Sequence, residues 1–539
     1  MSFPAAEPPL TETAVEEPPQ QAPSAPTWHS IKPDGVSPRF FDASEEPPSK
    51  TSIMSPGSVK VESSQSKKSN NSNISFTSTV EYNQTPFEQY KLQVKELCHL
   101  LWNPSPEVSQ DLKKPRIERL FGGANNRVTG ILLGKRNRSA RPSAPPKEFL
   151  IDRLHGGGFN RIIGITIEHS TGEDPTKLIL RVPRFEDTRP DREVAVLRFI
   201  RRHTPIPVPE VKYMDFTSNN PLKQCYVIQN RIPGYDLQSK TPTFYPDLTH
   251  EQKCTFARQF ALILLDLHDI MHPFPGLIET SADSDNDGEF TIRPFDLETI
   301  SGYQPEPDLN TKLPFFQVRP FVKGWEPPEK TPIEQSTYYF MIAQFGRWKA
   351  LDLRRDPASI AWSELSKLHD RLVTMAVQMD DLGFLGNDEN CVCHLDLVGA
   401  PRNIMADIKP DGSLSITGIL DWDSAVFAPS FAGCAPPMWL WAWDDEGEDE
   451  KHANETPANP RDQEIKTIFE ETIGDWFLHY AYKPEYRLAR ELFRFATSGI
   501  RSSTDIEEIE ELLKEWSGIY ESRMAVNQNK AAKAEEAAS

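Results

Sequence analysis

The segment CHLDLVGAPRNIMAD, Cys393 to Asp407, followed by SITGILDWDSA, Ser415 to Ala425, decides how this chain is to be read. His394-Leu395-Asp396 stands ahead of Asn403. Two short apolar runs, Asn403 to Ala406 and Ser415 to Leu420, then predict a pair of strands, the second of which delivers Asp421 at its end. Phosphoryl transfer needs a carboxylate to orient the accepting hydroxyl, and an amide with a second carboxylate to hold magnesium on nucleotide phosphates. Asp396, Asn403 and Asp421 supply those three groups. Either aspartate alone reads as a turn residue flanking a buried strand, so the weight of the set depends on what lies upstream.

Upstream, Gly156-Gly157-Gly158 sits between Ile151-Asp152-Arg153-Leu154 and the apolar run Ile162 to Ile167, a strand, glycine turn and strand. Such glycines let backbone amides approach phosphate oxygens, although a tight turn in any hairpin has the same spelling. Lys177 to Pro183 predicts a third strand with Arg181 as a cation among apolar neighbours, and Asp191 to Ile200 predicts an amphipathic helix with Glu193 in its first turns. A strand cation and a helix carboxylate beneath a glycine turn form the phosphate-handling arrangement of kinase amino-terminal lobes. Strands are expected at Pro209 to Met214 and Gln224 to Gln229. Arg231-Ile232-Pro233-Gly234 would then carry the chain from a strand-rich lobe into a helical one, opening with a helix over Thr255 to Ile270.

Through LRVPR, IPVPEV, HLDL, PRNI and LDWD, the stretch from Ile151 to about Trp441 resembles the aminoglycoside phosphotransferase-like family, particularly its large fungal group. The resemblance covers more than half the chain, with the motifs in family order. It implies an α+β, protein-kinase-like, two-lobed fold with an antiparallel-sheet small lobe and a mainly helical large lobe. It further implies an ATP-dependent phosphotransferase that passes the γ-phosphate to a hydroxyl of an unidentified small molecule. On that reading Asp396 is the catalytic base, Asn403 and Asp421 hold Mg2+, Arg181 and Glu193 form the small-lobe ion pair, Gly156, Gly157 and Gly158 cover the phosphates, and the strand bearing Val227 and Gln229 contacts adenine.

Three departures qualify the resemblance. Arg181 stands where kinases at large carry lysine; arginine can pair bidentately with Glu193 but is bulkier and permanently charged. Six residues, Leu397 to Arg402, separate Asp396 from Asn403, against the four common in the family, so the insertion near Val398-Gly399 must bulge outward or shift Asn403, with Gly399 the residue best able to turn. A shift of about 1 Å at a metal ligand costs on the order of a hundredfold in rate. Trp422 and Asp423 follow Asp421, which favours a small-molecule kinase over a protein kinase. The first two departures keep a second reading open, a pseudokinase or nucleotide-binding interaction module without transfer.

The chain has 539 residues and a net charge of -20, which makes nucleic acid and anionic membranes poor partners. Residues 1–84 are rich in Pro, Ser and Glu, too poor in large apolar residues to bury a core, and are expected to be a disordered tail able to bind other proteins. The tail opens with neither a secretory nor a mitochondrial pattern, and no apolar run of membrane-spanning length exists. Six cysteines in a chain this long do not make a disulfide framework, so a reducing, cytoplasmic setting is expected. CVCH, Cys391 to His394, lacks a second pair at zinc-finger spacing. Residues 85–109 predict an amphipathic helix and linker, 110–235 the small lobe, 236–526 the large lobe, and 527–539 a second disordered tail.

The glycine hairpin is spelled twice. IERLFGGANNRVTGILL, Ile117 to Leu133, precedes IDRLHGGGFNRIIGITI, Ile151 to Ile167. Only the second copy leads into the Arg181 strand. The first reads as a partial duplication, forming either an extra edge hairpin or a competing loop at the nucleotide site. Near the end, Pro436 to Trp443 reads as core or as a pocket wall, and the acidic run Asp444 to Glu450 as a solvated loop or a receiver for a cationic substrate. Helices are expected over Asp462 to Ala481, Tyr486 to Ser498 and Thr504 to Val526.

Overall fold

The structure is a computed structural model, and it describes residues 84–102, 146–154, 159–170, 172–185, 189–239, 243–280, 290–294, 337–355, 360–385, 390–443, 450–500 and 502–538. The tail expected over residues 1–84 (Gln84 excepted), the first glycine hairpin Ile117 to Leu133, the glycines at 156–158 and the acidic residues 444–449 lie outside them.

Helix α1 (Phe87–Trp102) buries Tyr90, Val94, Leu97 and Cys98, one stripe at helical spacing. Strands β1 (Pro146–Arg153), β2 (Asn160–His169) and β3 (Thr176–Pro183) precede helix α2 (Pro190–His203), and β4 (Val211–Asp215) and β5 (Tyr226–Asn230) follow it. The five strands form an antiparallel sheet in the order β1-β2-β3-β5-β4. Because side chains alternate along a strand, β3 sends Leu178, Leu180 and Val182 to one face, where they meet Ile163, Ile165, Ile228 and the stripe of α1 in a continuous core. Ile179 and Arg181 take the other face, with their register partners Gln229 and Val227.

The chain then passes through β6 (Tyr235–Asp236) into α3 (His250–His268), β7 (Met271–His272), β8 (Gly276–Thr280), β9 (Phe290–Pro294), α4 (Thr337–Arg355) and α5 (Ile360–Asp381). After these come β10 (Asn390–His394), β11 (Ile404–Ile408), β12 (Leu414–Ile419), β13 (Ala425–Pro429), α6 (Pro460–Ile473), α7 (Asp475–Tyr482), α8 (Pro484–Ser498) and α9 (Ser503–Ala538). One core unites them, with Phe256, Phe260, Trp422, Phe427 and Phe469 among its largest fully buried side chains. The architecture is α+β and two-lobed in the protein-kinase-like manner, an antiparallel-sheet lobe followed by a mainly helical one. No described helix is long and apolar enough to cross a membrane.

The crossing segment is pressed onto the β11–β12 hairpin. β6 pairs with β11, and Thr417 Oγ1 donates to Pro233 O at 2.6 Å. Gly234, at φ +94°, lies so close to Ala406 that a Cβ there would sit 2.1 Å from its carbonyl oxygen, so only glycine fits.

Three expectations change. CVCH is a strand, β10, inside a five-stranded sheet ordered β7-β10-β13-β8-β9; the large lobe thus holds sheet that its short, wholly buried apolar runs concealed, because they lack alternation. The helix expected over Asp462 to Ala481 breaks at Gly474, whose φ is +80°. Finally, α9 continues past Val526 to Ala538, where alanine, lysine and glutamate have high helix propensity.

Candidate active site

β10 ends at His394, which donates through Nε2 to Leu420 O at 2.9 Å and so ties the start of the catalytic segment to the end of β12. Burial keeps the His394 imidazole below its ordinary value, in keeping with a neutral ring in that role. Two residues on, Asp396 is 9% exposed. Asn403 Nδ2 donates to Asp396 O at 2.9 Å and to its Oδ2 at 3.1 Å. Arg402 Nη2 reaches the same Oδ2 at 3.4 Å from a half-exposed position. Both side-chain contacts land on Oδ2. Burial lifts the Asp396 carboxyl above the usual range, while Arg402 and Asn403 pull it back.

The residues between Asp396 and Asn403 form a bonded loop that leaves the amide on Asp396. Leu397 N bonds to His394 O, Val398 O accepts from Trp439 Nε1 at 2.8 Å, and Pro401–Asn403 forms one tight turn closed by Asn403 N to Ala400 O. Gly399 faces open space, as the outward loop requires, but has no positive φ. The chain bends through Leu397, Val398 and Gly399, and the Trp439 indole anchors that bend. That tryptophan lies in the aromatic run read as core or pocket wall, and it is buried.

Asp421 follows β12 with φ +64° and ψ +53°. A left-handed aspartate is a small backbone cost that its own short polar side chain helps offset. Arg181 bridges it to the small lobe: one nitrogen, Nη2, stands 3.0 Å from Glu193 Oε1 and 3.0 Å from Asp421 Oδ1. The ion pair with Glu193 is thus single-pronged, not bidentate as the guanidinium fork allows, because the nitrogen is shared between two acids. Arg181 Nε has no partner among the described residues. Against the cost of burial, Glu193, Asp421 and Asp423 hold Arg181 firmly charged.

Asp423 was legible only as an extra carboxylate. Burial pushes it well above the ordinary range, and the charges of Asp421 and Glu193 push further against the pull of Arg181 and Arg192. Burial also raises Glu193. Three acids, Glu193, Asp421 and Asp423, thus crowd two arginines, Arg181 and Arg192. Arg192 has no signal in the sequence beyond its place in the α2 acid run. Arg402, lodged between Pro401 and Asn403, could have been singled out by its spacing from Asp396.

Val227 and Gln229 are buried on the Arg181 face. Their strand lies inside the sheet, paired on both edges, so its backbone is committed to the ladder and only side chains can meet a ligand there. Gln229 Oε1 has no partner among the described residues. The structure therefore gathers Asp396, Asn403, Asp421, Arg181 and Glu193, sets Val227 and Gln229 on the adjoining sheet face, and says nothing of Gly156, Gly157 and Gly158.

Among solved structures, the chain is similar to the aminoglycoside phosphotransferase APH(4)-Ia at 15% identity, covering 70% of this chain and 94% of that one with a TM-score of 0.33. It is also similar to choline kinase from Cryptosporidium parvum Iowa II at 9% identity, covering 71% and 91% with a TM-score of 0.30. No curated relative matches by sequence. Residues 166–432, from β2 to the residues just after β13, match the model of the phosphotransferase enzyme family. Over that segment, this chain is similar to the phosphotransferase enzyme family.

Proposed function

We propose that this protein transfers the γ-phosphate of ATP to a hydroxyl of a small molecule. The observation that carries the reading is the joint placement of Asp396, Asn403 and Asp421, with Arg181 tying Asp421 to Glu193. In this scheme Asp396 orients the hydroxyl and accepts its proton. Its Oδ1 is the oxygen that Asn403 and Arg402 leave for the substrate, and its raised affinity for protons brings it closer to the range in which a general base works. Asn403 uses its amide nitrogen on Asp396, which leaves Oδ1 as an oxygen ligand; Asp421, with Arg181 on Oδ1, offers Oδ2. The crowded acids make a divalent cation a natural fit, since it would offset the charges of Asp421 and Glu193 that add to burial in favouring a proton on Asp423. Mg2+ held there would neutralise the nucleotide phosphates. Arg181 and Glu193 keep the phosphate end of the site positioned, Gly156 to Gly158 supply backbone amides, and Val227 and Gln229 line the adenine side.

The test is ATP-to-ADP conversion with Mg2+ across a panel of hydroxylated metabolites. Wild type should turn over at least one acceptor, Asp396→Ala should lose about 10²- to 10⁴-fold in turnover, and Asp421→Asn should lose Mg2+-dependent nucleotide binding. A second reading, a nucleotide-binding module without transfer, is favoured by Arg181 sitting on Asp421 Oδ1. Nucleotide binding in wild type with turnover equal to that of Asp396→Ala would select it.

A further inference from the structure

On the far side of α3 from the catalytic hairpin's strands, a second set of donors has no role in phosphoryl transfer. His250 and Cys254 are four residues apart on α3 and therefore share one face of the helix. Glu464 projects from α6. One ligand atom from each lies within 4.8 Å of the others. Cys254 Sγ is 3.6 Å from His250 Nε2, and His250 Nε2 is 2.8 Å from Glu464 Oε2.

The backbone beneath these groups is fixed. Thr249 and Gln252 form a reciprocal capping box at the start of α3, and Gln252 Nε2 and Gln259 Nε2 hold the helix to the β11–β12 hairpin through Gly412 O and Leu414 O. At the start of α6, Asn459 caps Arg461 N. A thiol, an imidazole and a carboxylate from two anchored helices are the donor set of a borderline-soft divalent ion. Hard magnesium, which takes oxygen ligands, is a poor match.

The spacing agrees with that ion. Metal–sulfur and metal–nitrogen bonds of about 2.3 and 2.05 Å at a tetrahedral zinc put sulfur and nitrogen about 3.6 Å apart. The observed separation is the same. The histidine–carboxylate separation must widen by roughly half an ångström from its hydrogen-bonded value to reach the tetrahedral edge, about 3.4 Å. Glu464 can give that room, because its side chain is 61% exposed while Cys254 is buried. The open side also leaves a coordination position for water and a path of entry.

We propose that His250, Cys254 and Glu464 form a zinc-class metal site that clamps α3 to α6, separate from the magnesium-type site of the catalytic cleft. The full chain, reduced and freed of metal, would be titrated with Zn2+ against a chromophoric chelator in excess Mg2+, and with Co2+ to read thiolate-to-metal charge transfer. Wild type should bind one equivalent that Mg2+ does not displace, show the charge-transfer band, and unfold at a higher temperature with Zn2+. Cys254→Ser and His250→Ala should each weaken that equivalent at least tenfold and abolish the band or shift it; Glu464→Gln, at an exposed position that leaves the fold intact, should weaken binding several-fold. Zinc binding that is absent in wild type, or unchanged in all three variants, overturns the proposal. Loss of zinc without loss of basal turnover separates this site from the catalytic one.

Discussion

The two faces of the small-lobe sheet are built from the same strands and obey opposite rules. On the outer face Leu178, Leu180 and Val182 meet Ile163, Ile165 and Ile228, and α1 seals them with Tyr90, Val94, Leu97 and Cys98. Burial there is simple removal of apolar surface from water, roughly 1.5–3 kcal/mol for each large side chain. On the inner face, one residue along the same strand, Arg181 is buried among carboxylates. Nothing is gained there by burial itself; the arrangement holds because Arg181 is paired with Glu193 and, across the cleft, with Asp421. One face supplies stability, and the other spends part of it on a charged cleft.

That contrast can be broken most sharply at Arg181. Arg181→Met removes the cation shared by Glu193 and Asp421 and should cost about 3–5 kcal/mol in urea unfolding, together with nucleotide binding. Leu97→Ala, on the covered face, should cost about 2–5 kcal/mol by the same measurement, yet leave turnover per folded molecule unchanged. If Leu97→Ala impaired turnover as severely as Arg181→Met, the two faces would not be separable.

A pH series sharpens the inner face. The folded-state affinities for protons of Glu193, Asp396 and Asp423 are raised by burial. Between the ordinary carboxylate value and these raised values the native state binds more protons than the unfolded chain, so stability must fall as pH rises. It is fully present below about pH 4, the unfolded carboxylate range. Asp423→Asn should flatten this decline in thermal midpoints measured from about pH 4 to 8, and an unaltered slope would remove Asp423 from the account. The smallest effect belongs to Trp439→Phe, which deletes the indole donor to Val398 O. About 0.5–1.5 kcal/mol should be lost, with a drop in turnover as the bulge before Asn403 loosens.

Much of this was legible because its physics is local. The strands of the small lobe declare themselves by alternation, and the order of Arg181, Glu193, Asp396, Asn403 and Asp421 follows from the family pattern. What stayed hidden depends on distant partners. Nothing in LDWD says that Arg181 will share one nitrogen between Glu193 and Asp421, since those residues are 240 positions apart or on another element. The role of Trp439 in fixing the bulge is equally non-local, its indole reaching Val398 O from 41 positions away. The second sheet escaped because runs such as Ala425 to Pro429 are buried throughout and carry no periodicity to read.

The crossing segment is bonded to both lobes. Toward the small lobe, Arg231 N is bonded to Lys177 O and belongs to the sheet. Toward the large lobe, Pro233 O is held by Thr417, Ile232 lies against Gly418, and Gly234 is flush with Ala406. The lobes are also joined away from that segment, since α2 puts Val196, Phe199 and Ile200 into the large-lobe core and Pro207 O accepts from Ile419 N. Arg181 and Asp421 therefore meet across a frame riveted at several points, in which the small-lobe helix travels with the large lobe that it packs against.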